Sequence, residues 1–574
     1  MGIKHFFMWF KNHYSEYMRP MRRGDTLSKV GVKIDNLMID MNGVFHNSAQ
    51  KIYQYGNFKP PPRLLRKHRK PRLRGLKAQI AVFEDVCKTV EHLFNISNPR
   101  KRLILCVDGP APISKQNQQR QRRFRSAMEA SKGAPFDSNS ITPGTKFMDY
   151  LSKYIDWYIR KRISESPKWR NVQVIFSNEK APGEGEHKII NYIRYYGKED
   201  EIYCINGLDA DLIMLALGTH MPNFYILRED LYDRSNEYFC IDIGATRKSL
   251  AKDLKWESKT YEYSERSGVD DFIFLCFMVG NDFLPHIPSL EIIENGIELL
   301  LEVYKEVCSS HGHITRVVGG GRVQFVPSSM GVFLGTIGHH EKENLQHKLK
   351  SRKSYFEDTL LDSCATQRKR EWIVDIDKYK REYLIKHFEK GISIEDVCHQ
   401  YLEGMQWVLS YYTRGVPNWK WHFAHHYAPP ASTLAKYISS FKFTHYGRTI
   451  PSTPFQQLLS VLPPQSANLI PSPLCDYLTD KSSPLKDHCP SELKIDLAGK
   501  RREWEGIVLL PMVEFELVRK CYFKSLKDVD PRESRRNVRG RTFLYEYRSD
   551  MPRLFKSYYG DITDCRVVTT QLDL

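Results

Sequence analysis

The 574-residue sequence lacks the features that define several broad classes of protein. No apolar run reaches the roughly 18 residues of a membrane-spanning helix. The twelve cysteines include no Cys-x-x-Cys pair, so neither a zinc module nor a disulfide framework is indicated, and we expect a reducing compartment. The first residues lack the small-residue cleavage site of a secretory signal. These absences together predict an intracellular protein with no membrane segment.

Acidic residues are also scarce relative to basic ones. The chain has 68 Asp and Glu against 86 Lys and Arg, which gives a formal net charge of +18. An excess of this size attracts polyanions such as nucleic acid over long distances. The most basic stretch, residues 63–77, contains no acid. It predicts either an RNA-gripping arm or a nuclear import signal, with a solvated loop as an equal alternative.

The acids that are present concentrate at the ends of short apolar runs. Two runs lead directly into Asp40 and Asp108, and the runs 172–176 and 202–205 each precede a close pair of acids. Helical segments separate the four runs, which are rich in Val, Ile and aromatic residues. This pattern predicts the α/β class, with a largely parallel twisted sheet and flanking helices. In such a sheet the carboxyl ends of the strands meet at one edge.

A convergence of carboxylates at that edge predicts a metal site. Ionised carboxylates at such close spacing repel one another unless a cation joins them. Oxygen ligands without a His/Cys set favour Mg²⁺, or Mn²⁺, over Zn²⁺, and two such ions would clamp the attacking and leaving oxygens of a phosphodiester. Any one of these acids is more simply a helix cap or turn former, so the prediction depends on the repetition. The predicted catalytic and metal-ligating acids are Asp40, Asp108, Glu184, Glu186, Asp209, Asp211 and Asp282.

A basic helix is predicted directly after Asp108. Four side chains that bear cations or an amide recur there at roughly helical spacing, so one face presents them together. Beside a metal site, such a face holds a terminal phosphate by charge-assisted hydrogen bonds. The alternative is a solvated basic helix. The four predicted phosphate-binding residues are Lys115, Gln119, Arg122 and Arg123.

The sequence pattern divides the chain into three parts. Residues 1–310 carry the βα pattern and the acids, and we predict that they form the catalytic domain. Residues 311–390 lose that pattern and contain a glycine cluster and charge-rich stretches, which favours a linker or an insertion. Residues 391–574 form a second block that is mostly helical, aromatic and irregular.

Several segments of the chain resemble the signature segments of the Xrn family of 5′→3′ exoribonucleases. Matches occur in the family's order through most of residues 1–515. In the first block they are residues 40–46, 108–125, 136–145, 182–188, 207–211 and 279–285, and in the second block residues 407–412, 415–421, 426–429, 454–463 and 504–511. The resemblance implies a nuclease core of the PIN/FEN type and a second Xrn-type region that packs against it and completes an RNA channel.

The resemblance also implies roles for residues. The seven acids would bind Mg²⁺, the four residues of the basic helix would bind a 5′-monophosphate, and His46 would stack on a leading base. A second-region tryptophan would stack from the other side; we favour Trp421, with Trp419 in reserve. The implied reaction is processive two-metal hydrolysis of single-stranded RNA from its 5′ end, which releases nucleoside 5′-monophosphates.

The implied setting is mRNA decay. A pocket fitted to one phosphate excludes a cap or triphosphate, so a decapping factor is an expected supplier of substrate. We expect a cytoplasmic monomer that visits the nucleus if residues 63–77 act as an import signal. The chain resembles a compact member without the long C-terminal extension of the large cytoplasmic members.

Two other functions fit parts of the sequence. A flap-type 5′ DNA nuclease shares the acidic cluster, but there a glycine-bearing helix-hairpin-helix is expected after the last acid, and residues 282–290 contain no glycine. An inactive RNA-binding scaffold is expected to have lost some of the acids, and all seven are present.

Overall fold

The structure is a computed structural model that describes most of the chain. The described residues are 3, 5–56, 58, 73–129, 135–231, 235–351, 355–369, 371–490, 492–550 and 552–573. Most of the basic stretch 63–77 lies outside them, so its predicted role stays a prediction. All twelve cysteines are described and none forms a disulfide. No helix among the described residues is both long and apolar enough to cross a membrane.

Seventeen strands are found in the described part of the chain. They are β1 (Met18–Arg22), β2 (Asn36–Asp40), β3 (Arg102–Cys106), β4 (Gln173–Ser177), β5 (Tyr203–Asn206), β6 (Phe224–Glu229), β7 (Asn236–Asp242), β8 (Thr315–Val318), β9 (Arg322–Phe325), β10 (Ala365–Arg368), β11 (Glu371–Val374), β12 (Ile495–Asp496), β13 (Ile507–Val508), β14 (Thr542–Tyr547), β15 (Arg553–Phe555), β16 (Ile562–Cys565) and β17 (Val567–Leu572).

Twenty α-helices are found in the same residues. They are α1 (Phe6–Tyr14), α2 (Met41–Tyr53), α3 (Gly75–Ser97), α4 (Ile113–Glu129), α5 (Lys146–Glu165), α6 (Pro167–Arg170), α7 (Gly185–Tyr196), α8 (Asp211–Leu217), α9 (Ile243–Asp253), α10 (Glu265–Cys276), α11 (Gly296–His311), α12 (Pro327–Ser351), α13 (Thr359–Ser363), α14 (Ile376–His387), α15 (Ile394–Arg414), α16 (Ala431–Tyr437), α17 (Pro454–Val461), α18 (Asp476–Thr479), α19 (Phe515–Ser525) and α20 (Pro531–Ser534).

A nine-stranded sheet in the order β1-β7-β6-β5-β2-β3-β4-β14-β17 forms the centre of the molecule. The five strands from β6 to β4 are parallel, and the two strands on either side of them are antiparallel. The predicted α/β class is confirmed, and the four predicted apolar runs are β2 to β5. The antiparallel flanks were not predicted from the sequence.

The strands of the sheet bury side chains on both faces. In β2, Met38 belongs to one core, while Leu37 and Ile39 belong to the other, as the two-residue period of a strand requires. Helices α2, α3 and α5 cover the face of Leu37. Helices α1, α7 to α12, α15 and α16 contribute to the core on the face of Met38, and a smaller core gathers α17 and α19.

Residues 311–390 differ from the linker or insertion that the sequence pattern favours. The glycine cluster forms the turn of the β8–β9 hairpin, where Gly320 and Gly321 adopt φ of 73° and 71°. The charge-rich part belongs to the 25-residue helix α12, which buries Phe333, Leu334 and Ile337 in the large core. The sequence pattern was misleading because α12 exposes its charges on the side away from this buried stripe.

The end of the chain joins the sheet of the first block. β14 pairs with β4, with Phe543 opposite Phe176, and β17 pairs with β14. The described part of residues 391–574 therefore supplies two helical layers and one edge of the central sheet.

Candidate active site

Three of the predicted acids form a compact carboxylate cluster. Oxygen atoms of Asp40, Asp108 and Glu186 all lie within 4.8 Å of one another. Asp40 is the last residue of β2, Asp108 follows the neighbouring parallel strand β3, and Glu186 is the second residue of α7. The cluster forms because neighbouring parallel strands end at the same edge of the sheet.

The backbone of α7 approaches this cluster closely. The Gly185 N–H donates to Oδ1 of Asp108 at 2.7 Å. A Cβ atom on Gly185 would lie 2.6 Å from Oδ1 of Asp40, so only glycine allows this approach. Asp40 also caps α2 by accepting from the Asn42 N–H at 3.2 Å, so the simpler role considered for a single acid is met as well.

Asn42 links the two strand-end acids. Its Nδ2 donates to Oδ2 of Asp108 at 2.7 Å, and its Oδ1 accepts from the Asp108 N–H at 3.0 Å. One side chain therefore fixes both the carboxylate and the backbone of Asp108.

Lys115 lies among the acids. Its Nζ donates to Oδ2 of Asp282 at 2.6 Å and forms an ion pair with Glu184. Burial alone would lower the pKa of Lys115, but the two carboxylates hold it well above its usual value. Burial likewise opposes ionisation of Asp282, yet the Lys115 ammonium holds the pKa of Asp282 below its usual value. This lysine therefore brings Glu184 and Asp282 together.

The last two acids join the cluster from the end of β5. Asp211 starts α8, and its carboxyl group is buried. Tyr412 OH lies 3.5 Å from Oδ2 of Asp211, while the buried Oδ1 accepts no hydrogen bond. Burial, with added repulsion from Asp209 and Asp282, raises the pKa of Asp211 to about 7. Asp209 also acts on Asp40, whose pKa is held well above its usual value by burial first and then by Asp108 and Asp209.

This donor set fits a hard divalent cation. All of its ligand atoms are carboxylate oxygens, which Mg²⁺ and Mn²⁺ prefer. Burial and the neighbouring Glu184 and Asp40 hold the pKa of Glu186 well above its usual value, which reflects negative charge without enough compensation. The unsatisfied Oδ1 of Asp211 leaves a further oxygen available. The acidic group Asp40, Asp108 and Glu186 can therefore hold a metal ion.

The other predicted phosphate-binding residues lie further along α4. Arg123 is buried, and its Nη1 has no hydrogen-bond partner; burial and the neighbouring Arg122 lower its pKa to about 9. Oε1 of Gln119 accepts from Nε2 of Gln457 at 3.3 Å, so α17 of the second block supports this helix. Burial and then the charges of Arg122 and Arg123 lower the pKa of His46 to about 4, which leaves a neutral ring close to both arginines.

The two candidate stacking tryptophans occupy different surroundings. The Trp421 ring is half-buried and stacks on Trp407, with ring centroids 5.2 Å apart and planes 24° apart. The carbonyl of Trp419 accepts from the Ile113 N–H at 3.0 Å, which places its backbone at the first residue of α4. Among the described ring contacts, neither tryptophan touches His46.

Comparison with protein-family models decides the family. Residues 1–230 match the model of the XRN 5'-3' exonuclease N-terminus, and residues 262–375 and 376–566 match the Xrn1 helical domain. The chain belongs to the Xrn family. The resemblance seen in the sequence is thus confirmed.

Named relatives extend over nearly all of this Xrn-family chain. It is 30% identical to 5'-3' exoribonuclease 1 of Saccharomyces cerevisiae over 98% of the chain and 46% of that protein. It is 30% identical to the 5'-3' exoribonuclease 2 homolog of Drosophila melanogaster over 95% of the chain and 73% of that protein. It is 30% identical to human 5'-3' exoribonuclease 1 over 97% of the chain, but spans only 36% of that relative's length.

A solved structure is similar at a lower level. The catalytic core of Rad2 in complex with DNA matches 72% of this chain and 88% of that chain, with 14% identity and a TM-score of 0.32. No conclusion rests on that likeness.

The Xrn-family chain also contains site residues that the sequence did not identify. On α15, Tyr411 donates its hydroxyl to Oε1 of Glu184 at 2.9 Å. The Tyr411 ring stacks on the ring of His187, with centroids 3.6 Å and planes 4° apart. The available signal was two adjacent tyrosines in a helix predicted to be buried, because a buried tyrosine hydroxyl needs a partner.

Proposed function

We propose that this Xrn-family chain is a processive 5′→3′ exoribonuclease that hydrolyses single-stranded RNA from a 5′-monophosphate end. The observation that carries the proposal is the seven-acid cluster with the basic face of α4 beside it. The carboxylates supply a metal site, and the neighbouring cations supply a place for a terminal phosphate. The relatives that match nearly the whole chain are named 5'-3' exoribonucleases, which supports the same reaction.

The acids Asp40, Asp108 and Glu186 would hold one ion, and Asp209, Asp211 and Asp282 would complete a site for a second. Mg²⁺ bound there would activate water and stabilise charge on the phosphodiester oxygens. The chain's own residues do the positioning. Asn42 and the Gly185 N–H fix the Asp108 carboxylate, and Tyr411 fixes Glu184.

The 5′-monophosphate would be held by the basic helix. Arg122 and Arg123 would form charge-assisted bonds with the phosphate, with Lys115 and Gln119 beside them. Arg123 supports this role because a buried guanidinium with an unpaired N–H retains a donor for an anion. A phosphate-sized site excludes a capped or triphosphorylated end, so the substrate would be decapped or cleaved RNA.

Leading bases would be gripped by stacking. His46 supports this role because its ring is neutral and lies near the arginines. We favour Trp421, with Trp419 in reserve, as the second stacking ring. In this proposal residues 1–310 form the catalytic unit and residues 391–574 complete the RNA channel. The setting would be cytoplasmic mRNA decay by a monomer that receives RNA from a decapping factor.

The test compares matched RNAs with 5′-monophosphate, 5′-triphosphate and 5′-hydroxyl ends, and single-stranded DNA, incubated with Mg²⁺ or with EDTA. We expect Mg²⁺-dependent release of nucleoside monophosphates from the 5′-monophosphate RNA alone. Glu186→Gln, which keeps the side chain's shape and removes its charge, is the matched inactive control. Equal hydrolysis of all four substrates, or hydrolysis in EDTA, would contradict the proposal. Preference for DNA would favour the flap-type nuclease.

A further inference from the structure

A cavity of about 710 Å³ lies apart from the acids, on the face of the sheet covered by α3 and α5. Its walls are the start of α3, the first half of α5, the end of β4, strand β14 and the loop 555–559. Its lining includes none of the predicted site residues. The volume falls within the roughly 300–1,000 Å³ typical of small-molecule sites.

The cavity offers flat apolar surfaces. Eight of its twenty lining residues are Phe or Tyr. Phe83 and Tyr545 are buried in the wall, whereas Tyr150 and Tyr558 are 45% and 82% exposed and lie at the mouth. Aromatic faces favour a planar ligand, since stacking needs no particular sequence of polar contacts.

One acid in the wall has no cationic partner. Glu179 is 1% exposed, and no Lys, Arg or His nitrogen of the described residues lies within ion-pair distance of it. Its carboxylate accepts from the Ser152 hydroxyl and from its own backbone N–H, and burial raises its pKa. The other two acids of the lining are paired: Asp149 with Lys153 and Lys180 at 2.5 and 2.9 Å, and Asp156 with Arg160 at 3.1 Å.

The remaining polar groups suit a nucleobase and a phosphate. The amides of Gln79 and Asn178 line the cavity, and Lys556 is exposed on the loop at its mouth. A buried carboxylate without a cation requires hydrogen-bond donors from its ligand. Guanine is the one common base that presents an imino N–H and an amino group side by side, which matches the two oxygens of a carboxylate.

We propose that this cavity binds a guanine base, with N1–H and N2–H donating to Glu179, the ring against the aromatic wall and a 5′-phosphate near Lys556. The site goes beyond the proposed exonuclease activity. If that activity holds, one of its products is GMP, so the cavity would bind a product of the reaction. The same base chemistry is present in a free nucleotide and in an unpaired guanine of RNA.

Calorimetry in EDTA, where hydrolysis does not occur, tests the site independently of the proposed function. The ligands are the four nucleoside 5′-monophosphates, guanosine, and a 5′-hydroxyl guanine trinucleotide. We expect GMP to bind about tenfold or more tightly than AMP, CMP or UMP, because only guanine satisfies Glu179 with two donors. Binding of GMP without the trinucleotide identifies a nucleotide site, and binding of both identifies a guanine site that also accepts RNA.

Three variants test the assigned contacts. Glu179→Gln and Tyr558→Ala should each weaken GMP by roughly tenfold, and Lys556→Ala should abolish the advantage of GMP over guanosine. Tyr558 is 82% exposed, so its variant remains informative even if Glu179→Gln fails to fold. Tyr355→Ala is the matched control, since Tyr355 is 83% exposed and lies outside the lining.

The proposal fails if no nucleotide binds at millimolar concentrations or if the four nucleotides bind equally. It also fails if GMP binding is the same in the wild type and in Tyr558→Ala. Hydrolysis of 5′-monophosphate RNA should be unchanged in Tyr558→Ala and Lys556→Ala, because neither residue belongs to the candidate active site.

Discussion

The acids of the candidate site and the groups that support them are specified by different parts of the chain. Asp40, Asp108 and Glu186 lie at strand ends or in the first turn of a helix of the first block. Their supports come from far away: Tyr411 reaches Glu184 across 227 positions, and Gln457 reaches Gln119 across 338. Charge is placed by local structure, while orientation is placed by the packing of the second block on the first.

The contrast predicts that loss of a carboxylate has the largest effect. Asp40→Asn or Asp108→Asn should abolish hydrolysis while RNA binding persists or tightens, because a ligand and a negative charge near the phosphates are both removed. The loss should exceed the roughly 10–100-fold typical of residues that only support a ligand. Hydrolysis rate and RNA affinity are both measured.

Asp35→Asn provides the control for that effect. Asp35 is buried just before the amino end of β2 and pairs with Arg100 at 3.0 Å, at the opposite edge of the sheet from Asp40. Its variant should lose stability and keep activity in the folded fraction. Equal losses of activity in Asp35→Asn and Asp40→Asn would show that stability, and not ligation, explains both.

Selection of the RNA end should be the next largest effect. The double variant Arg122→Ala and Arg123→Ala should reduce the preference for 5′-monophosphate over 5′-hydroxyl RNA, because each charge-assisted bond contributes about 1.5–3 kcal/mol. Arg125→Ala is the matched control on α4, since Arg125 pairs with Glu129 at 2.8 Å instead. Competition between the two RNAs measures the preference. An unchanged preference would remove this helix from end recognition.

The supports from the second block should have a smaller effect. Tyr411→Phe removes the hydroxyl that Glu184 accepts, a bond to a charged group worth about 1.5–3 kcal/mol. We expect a slower reaction that needs more Mg²⁺ for half-maximal rate. Tyr383→Phe is the control, because its buried hydroxyl donates to the Ala428 carbonyl at 3.1 Å away from the acids. The same Mg²⁺ requirement in both variants would dissolve the contrast between charge and orientation.

Base stacking should contribute less than end recognition. Trp421→Ala should cost about 1–3 kcal/mol of single-strand affinity and make decay distributive, with stalls before duplexes. The structure supplies a competing role, because Trp421 stacks on Trp407, which is fully buried. Melting temperature, affinity and processivity are measured for Trp421→Ala and Trp419→Ala. A large drop in melting temperature with normal processivity in Trp421→Ala would move the stacking role to Trp419.

The smallest effect is a pH dependence of stability in the metal-free protein. The pKa of Asp211 is about 7 in the folded state, above its usual value of 3.8, so the folded state binds the extra proton between those values. Stability contributed by this group is present below about pH 4 and is lost as pH rises through about 7. In EDTA the melting temperature should fall across this window, and less so in Asp211→Asn. An identical slope in that variant would exclude Asp211 as its source.

The acids were predictable because their positions follow from local rules. An apolar run that ends in a carboxylate identifies both a buried parallel strand and the edge where it ends, as at Asp40 and Asp108. Position on α4 was predictable from helical spacing, but the pairing of Lys115 with Asp282 was not. That pair joins residues 167 positions apart, so it depends on how α4 packs against a distant loop.

Other features lacked a local signal. Nothing in the sequence of β14 indicates that it pairs with β4, since an amphipathic strand states its faces and not its neighbour. Helix α12 was hidden by its charged surface. Tyr411 and Tyr412 stand in a predicted helix, yet their acceptors Glu184 and Asp211 become known only when α15 is packed against the sheet.

The pairing of β14 with β4 has a consequence for synthesis of the protein. The hydroxyl groups of Thr542 and Ser177 meet across 365 positions of sequence. At roughly 5–20 residues per second, a ribosome needs roughly 20–70 s between making these two residues. During that interval β4 is an open strand edge, which readily pairs with other chains. A nascent chain therefore carries all seven acids before its sheet is closed, and a chaperone that shields strand edges should bind it in that interval.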